Sequence, residues 1–140
     1  MLREINLDEI SDGRLYSSND MAKTDCKGCD GCSACCHDMG NSIVLDPLDV
    51  YRLSTNLSKS VNELLTGPLE LNVVDGIILP NLKMDRAEEA CSFLDTNGRC
   101  TVHAFRPGIC RMFPLGRFYE IGLSSISYRY MNVQKQTVPK

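Results

Sequence analysis

Five of the chain's eight cysteines, Cys26, Cys29, Cys32, Cys35 and Cys36, fall within the eleven residues that end at Cys36 in the stretch "DCKGCDGCSACCH". Unliganded thiols this close gain little from their neighbours, and as thiolates they repel one another strongly, so the crowding makes physical sense chiefly where a cation neutralises them. A Cys-x-x-Cys turn suits that task because two intervening residues let the backbone fold back and aim both sulfurs at one ion. Here the spacing repeats through Cys26, Cys29, Cys32 and Cys35, with Gly28 and Gly31 inside it, which favours a loop over a continuous helix. Adjacent side chains of an extended chain point to opposite sides. Cys35 and Cys36 are therefore expected to serve different centres, or different atoms of one cluster.

The other three cysteines, Cys91, Cys100 and Cys110, are held back for the second half. Cys26, Cys29, Cys32 and Cys36 have the C-x2-C-x2-C-x3-C spacing of the bacterial ferredoxin run, with His37 where that run has Pro. Zinc would be expected to show two C-x2-C knuckles some fifteen residues apart, or one knuckle with a paired His motif, and the second half supplies neither. The spacing thus fits an iron–sulfur cluster, [4Fe–4S] above all, better than zinc, although one closed zinc site built by sulfurs from both halves stays open. All eight cysteines are candidate ligands. Arg99, Arg106, Arg111 and Arg117 stand close in sequence to Cys100 and Cys110, where cations would offset the negative charge of a thiolate centre. His37 and His103 read as non-ligands. Glu88-Glu89 and Asp85-Arg86 read as a surface helix turn.

The rest of the composition narrows the setting. A chain of 140 residues with a formal charge of -3 suits one domain, residues 1–140, and offers no basic face for nucleic acid. The acidic, polar start "MLREINLDEISDGRLYSSND" lacks the charge and apolar pattern of a signal peptide, and no apolar run approaches the ~20 residues that span a bilayer. A cytoplasmic location is expected, with no membrane partner, and a reducing compartment favours metal ligation over four disulfides.

Along the chain, residues 1–25 read as a polar lead-in wrapping the core, with turns at Asp12-Gly13 and Ser17–Asp20. Asp46 and Pro47 have the chemistry of an N-cap and first helical residue, with Leu48, Tyr51 and Leu53 at near-helical spacing behind them. "SVNE" from Ser60 has the form of a capping box, and its helix should stop at Gly67-Pro68. "LELNVVDGIILP" reads as a β-hairpin turning at Asp75-Gly76. Asn97-Gly98 should make a second turn that returns Cys100 toward Cys91. "RFYEIGLSSISYRYMNV" reads as a strand pair with a frayed polar end. The expected class is α+β: a small single domain of short helices, β-hairpins and long irregular metal-binding loops.

These elements together resemble the YkgJ-type cysteine-cluster family, which is described as zinc- or iron-chelating. Its C-x2-C-x2-C-C element looks like Cys29, Cys32, Cys35 and Cys36, and its later elements look like "CSFL" at Cys91, "GRC" at Cys100 and "RPGICRMFP" from Arg106 to Pro114. Cys26 is additional to that core motif, and His103 stands where the family's "C-x-I-Y" element has Tyr. The resemblance implies a metal centre without a settled reaction. Larger members are similar to flagellin lysine N-methylases, which would make this chain a component of such a system. It carries no glycine-rich loop for S-adenosylmethionine and no C-x3-C-x2-C triad, so an added partner would be needed. Three roles follow as expectations: an iron–sulfur protein serving electron transfer or a partner enzyme, a zinc-stabilised binding module, and a metal-handling or storage protein. In each the metal would contribute folding free energy.

Overall fold

A computed structural model describes residues 13–21, 33–74, 76–84, 87, 89–121 and 126–132, with backbone alone at 117–121 and 126–132. Cys26, Cys29 and Cys32, most of the polar lead-in and the polar end beyond residue 132 lie outside the described residues. The elements are β1 (Leu15–Tyr16), α1 (Pro47–Leu57), α2 (Val61–Leu65), β2 (Leu69–Val74), β3 (Ile77–Leu82), α3 (Gly108–Met112), β4 (Leu115–Ile121) and β5 (Ile126–Asn132), with 3-10 turns at Ala34–Cys36 and His103–Phe105. The class is α+β. Two compact units are present, one within Cys29–Arg111 and the other within Leu2–Gly28 and Met112–Lys140.

In the first unit, α1 begins where the cap chemistry places it. The Asp49 N–H donates to Asp46 Oδ1 at 2.7 Å, and the Asp46 N–H donates in return to Asp49 Oδ2 at 3.5 Å, with Pro47 in the first turn. The inward stripe differs from the expected one. Leu53 is fully buried, with Val50 and Leu57 packed beside it, whereas Leu48 and Tyr51 face solvent. The helical repeat explains this, because a residue five positions after Leu48 points well away from it. Ser58 ends the helix in the left-handed conformation, φ 52°. At α2 the Ser60 hydroxyl accepts from the Glu63 N–H at 3.3 Å, and Glu63 Oε2 accepts from the Ser60 N–H at 2.8 Å.

Strands β2 and β3 pair antiparallel from Leu69↔Leu82 to Val74↔Ile77. That leaves a two-residue turn, and Gly76 occupies it at φ 79°, a conformation a side chain resists. The hairpin base is anchored by Leu69 and Leu82 in the core and by the edge segment 43–45, where the Leu82 N–H donates to the Ile43 carbonyl and the Leu45 N–H to the Pro80 carbonyl. Asn81 is the polar exception inside. Its amide donates to Glu70 Oε1 and the Leu82 carbonyl, and its oxygen accepts from Asn72 at 2.6 Å, so its burial costs little. Ile43, Leu45, Leu53, Leu64 and Val102 form one cluster with Cys36, Cys91, Phe93 and Cys110. Three thiols are thus part of the core itself.

The second unit contains an antiparallel sheet of order β1-β5-β4, with Leu15↔Met131 and Leu115↔Asn132 at its ends. The turn after β1 forms as expected, the Asp20 N–H donating to the Ser17 carbonyl and the Ser17 N–H to Asp20 Oδ2. The Arg14 guanidinium lies 5.3 Å from the centre of the Tyr16 ring. Among the described residues, no helix is long and apolar enough to cross a membrane.

Candidate metal centre

Five cysteines of the first unit, Cys35, Cys36, Cys91, Cys100 and Cys110, are described, and short backbone links bring four of them together. Cys35 and Cys36 sit in the 3-10 turn, where the Cys36 N–H donates to the Ser33 carbonyl. Two antiparallel links then join this turn to the second half of the chain: the Cys91 N–H donates to the Cys36 carbonyl at 2.7 Å, and the Asp38 N–H to the Glu89 carbonyl at 3.0 Å, around a bridge of His37 with Ala90. Asp38 and Glu89 both adopt positive φ, 57° and 49°. Glu89 is accordingly not part of the expected helix turn, because its carbonyl is committed to this bridge. On its other side Cys91 bridges Met84, just beyond β3, so the hairpin also helps to position it.

Cys100 arrives by the turn at Asn97-Gly98. Asp95 Oδ1 accepts from the Asn97 N–H at 2.9 Å and the Arg99 N–H at 2.8 Å, with Gly98 at φ 72°. The flanks form a single bridge, Leu94↔Cys100, where a hairpin of two strands was expected. The side chain of Asp95 takes N–H groups that a longer ladder would have paired. Cys110 is carried on α3 and is buried.

The sulfurs of Cys35 and Cys36 are 3.9 Å apart. The pair does not point to opposite sides, as extended backbone would require, because a 3-10 turn brings adjacent side chains nearer one face. Cys36 interacts through its thiol with Cys100, Cys35 and Cys91, and these contacts, with burial, raise it far above the ordinary thiol value. Each partner is lowered in turn. The Cys36 interaction, helped by the positive charge of Arg106, brings Cys35 to about 7 and Cys100 to about 6, and the same interaction lowers Cys91. Burial, then negative charge on Cys35, Cys91 and Cys100, pushes Cys110 up to about 12. Crowding of buried sulfurs, some of them readily deprotonated, is the condition a bound cation relieves. Among the described side chains of the arginines singled out by sequence, Arg106 is the one whose charge acts on several of these thiols. His103 is exposed, and the His37 backbone forms the Ala90 bridge.

Among the described residues, no group of three or more His, Cys, Asp or Glu stands as a ready-made metal-ligand set. Cys36 interacts with Cys35, Cys91 and Cys100, and Cys110 is buried in the same core. One residue near them escaped sequence reasoning. The buried Asp49 of α1 accepts the Gly108 N–H on Oδ1 at 3.0 Å, at the start of the turn that carries Cys110. The visible signal was the Asp-x-x-Asp form of the cap, which marks Asp49 as a capping partner but does not reveal its second contact.

Residues 28–134 match the CxxCxxCC family, described as a "Putative zinc- or iron-chelating domain". The chain belongs to that family. A CxxCxxCC protein carries the cysteines of its name here as Cys29, Cys32, Cys35 and Cys36, and the match, beginning at residue 28, leaves Cys26 outside. Its cysteines are metal-binding groups of the zinc- or iron-chelating kind. No curated protein and no solved structure matches this CxxCxxCC chain.

Proposed function

We propose that Cys35, Cys36, Cys91, Cys100 and Cys110 line one metal centre shared by the two halves of the chain, that its resident ion is zinc, and that the protein is a zinc-stabilised binding module. The observation that carries this reading is the 3.9 Å separation of the Cys35 and Cys36 sulfurs. Two thiolates on one tetrahedral zinc, each bonded at ~2.3 Å, lie ~3.8 Å apart, whereas the ligands of a cubane are held apart by the cluster between them. Such an ion takes four of the five thiols, and Cys36, in contact with three of the others, is the central one. The ion would supply the positive charge that lets these buried sulfurs lose their protons together, and it would tie residues 35–36 to residues 91–110. Arg106 adds a second cation beside the thiolates.

A second reading, an iron–sulfur cluster serving electron transfer or a partner enzyme, is favoured by the C-x2-C-x2-C-x3-C spacing of Cys26, Cys29, Cys32 and Cys36. The two separate on protein purified without oxygen and analysed for zinc, iron and acid-labile sulfide alongside its visible spectrum. Colourless protein with stoichiometric zinc is the expected result. Broad visible absorbance with iron and sulfide in comparable amounts would retire zinc and install the cluster.

A further inference from the structure

The backbone contact from α1 to the turn before Cys110 connects two parts of the chain that are distant in sequence. We infer that Asp49 is a positioning residue for the metal centre, acting through the Gly108 N–H to fix the turn Arg106–Cys110 against the other thiols. The inference rests on the zinc reading above and extends it to a residue that is not itself a ligand.

Asp49 is 4% exposed, which is unusual for an acidic side chain and calls for full use of its oxygens. Both are used: Oδ2 accepts from the Asp46 N–H at 3.5 Å and Oδ1 from the Gly108 N–H at 3.0 Å. The first bond belongs to the cap of α1. The second spans 59 positions and serves nothing in α1. It takes up one of the N–H groups left unpaired at the start of a five-residue helix, too short to hold its own direction. Pro107, fully buried, fixes the residue before, and its carbonyl accepts from the Arg111 N–H. Arg106 lies two residues to one side of Gly108 and Cys110 two residues to the other. A turn fixed at Gly108 therefore sets both the cation and the sulfur that this segment presents. Groups one shell out from a metal typically hold its ligands in this manner, and their loss weakens binding by roughly 10–100-fold.

The test measures zinc affinity by chelator competition on the full chain, with Co(II) as the spectroscopic probe of sulfur ligation. Asp49→Ala is expected to weaken zinc by about 10-fold or more and to change the Co(II)–thiolate spectrum. Asp49→Asn, which keeps an acceptor for the Gly108 N–H, should recover most of that loss. In a Cys110→Ser background, Asp49→Ala should cost no further affinity, because two residues acting through one ligand are not additive. If Asp49→Ala does not fold, Gly108→Pro removes the same hydrogen bond from the donor side and should show the same loss. Gly108→Ala is the control, since a Cβ there meets Asp49 and Arg111 at an ordinary 3.8–3.9 Å. Wild-type affinity in Asp49→Ala, an undiminished effect in the Cys110→Ser background, or a Cys110→Ser single variant that binds normally would each overturn the inference. A wild-type chain that binds no zinc would instead overturn the reading beneath it.

Discussion

At the scale of single residues, Cys36 is where the two halves of the chain meet. Its carbonyl accepts from Cys91, and its thiol faces Cys35, Cys91 and Cys100. Removing Cys100 should accordingly do more than delete one sulfur. Cys100→Ser is expected to lose metal affinity and folded stability together, as read by metal-to-protein ratio and circular dichroism, and a variant with full stability and full metal content would contradict a shared site. Residue identity made this much of the site legible in advance: a dense run of thiols and three distant ones point to metal whatever the fold. The direction of the Cys35–Cys36 pair was not legible, because it is set by a 3-10 turn stabilised from outside by residues 89–91. Asp49 was hidden for a similar reason, its partner lying 59 positions away where no local pattern reaches.

At the scale of elements, the short-range chemistry read true. The caps at Asp46 and Ser60 and the two-residue turn at Gly76 depend on residues within a few positions of one another, and they and the strand pair β4–β5 formed where the sequence placed them. Asp46→Ala should therefore cost about 1 kcal/mol in a denaturant titration of the metal-loaded protein, the usual loss for a cap. Gly76→Ala should cost roughly 1–2 kcal/mol, since φ 79° forces a Cβ toward the neighbouring carbonyl. What local chemistry did not reveal is which face each element would bury. Leu48 and Tyr51 share the near-helical spacing of Leu53, yet they are exposed and Leu53 is buried. The hairpin likewise leaves Leu71, Val73 and Ile78 more than half exposed, with only its base in the core. Those outcomes depend on what packs alongside, which spacing along one element does not carry.

At the scale of the whole molecule, the proposed metal centre and the apolar core of the first unit share residues, because Cys36, Cys91 and Cys110 belong to one cluster with Leu53, Leu64 and Val102. Stability should therefore respond to both. Leu53→Ala is expected to cost about 2–5 kcal/mol, as truncation of a fully buried leucine does. Metal removal by a chelator should lower the thermal midpoint of the wild-type protein and broaden its transition, since the free energy of metal binding is in part free energy of folding. The most direct test of the shared centre is X-ray absorption at the edge of the metal the protein carries, taken on wild type and on Cys100→Ser reloaded under the same conditions. A first shell of about four sulfurs at ~2.3 Å, with no second metal nearby and with sulfur lost in the variant, is the expected result. A neighbouring metal atom in the wild-type spectrum, or a sulfur shell untouched by the loss of Cys100, would contradict a single ion held by both halves of the chain.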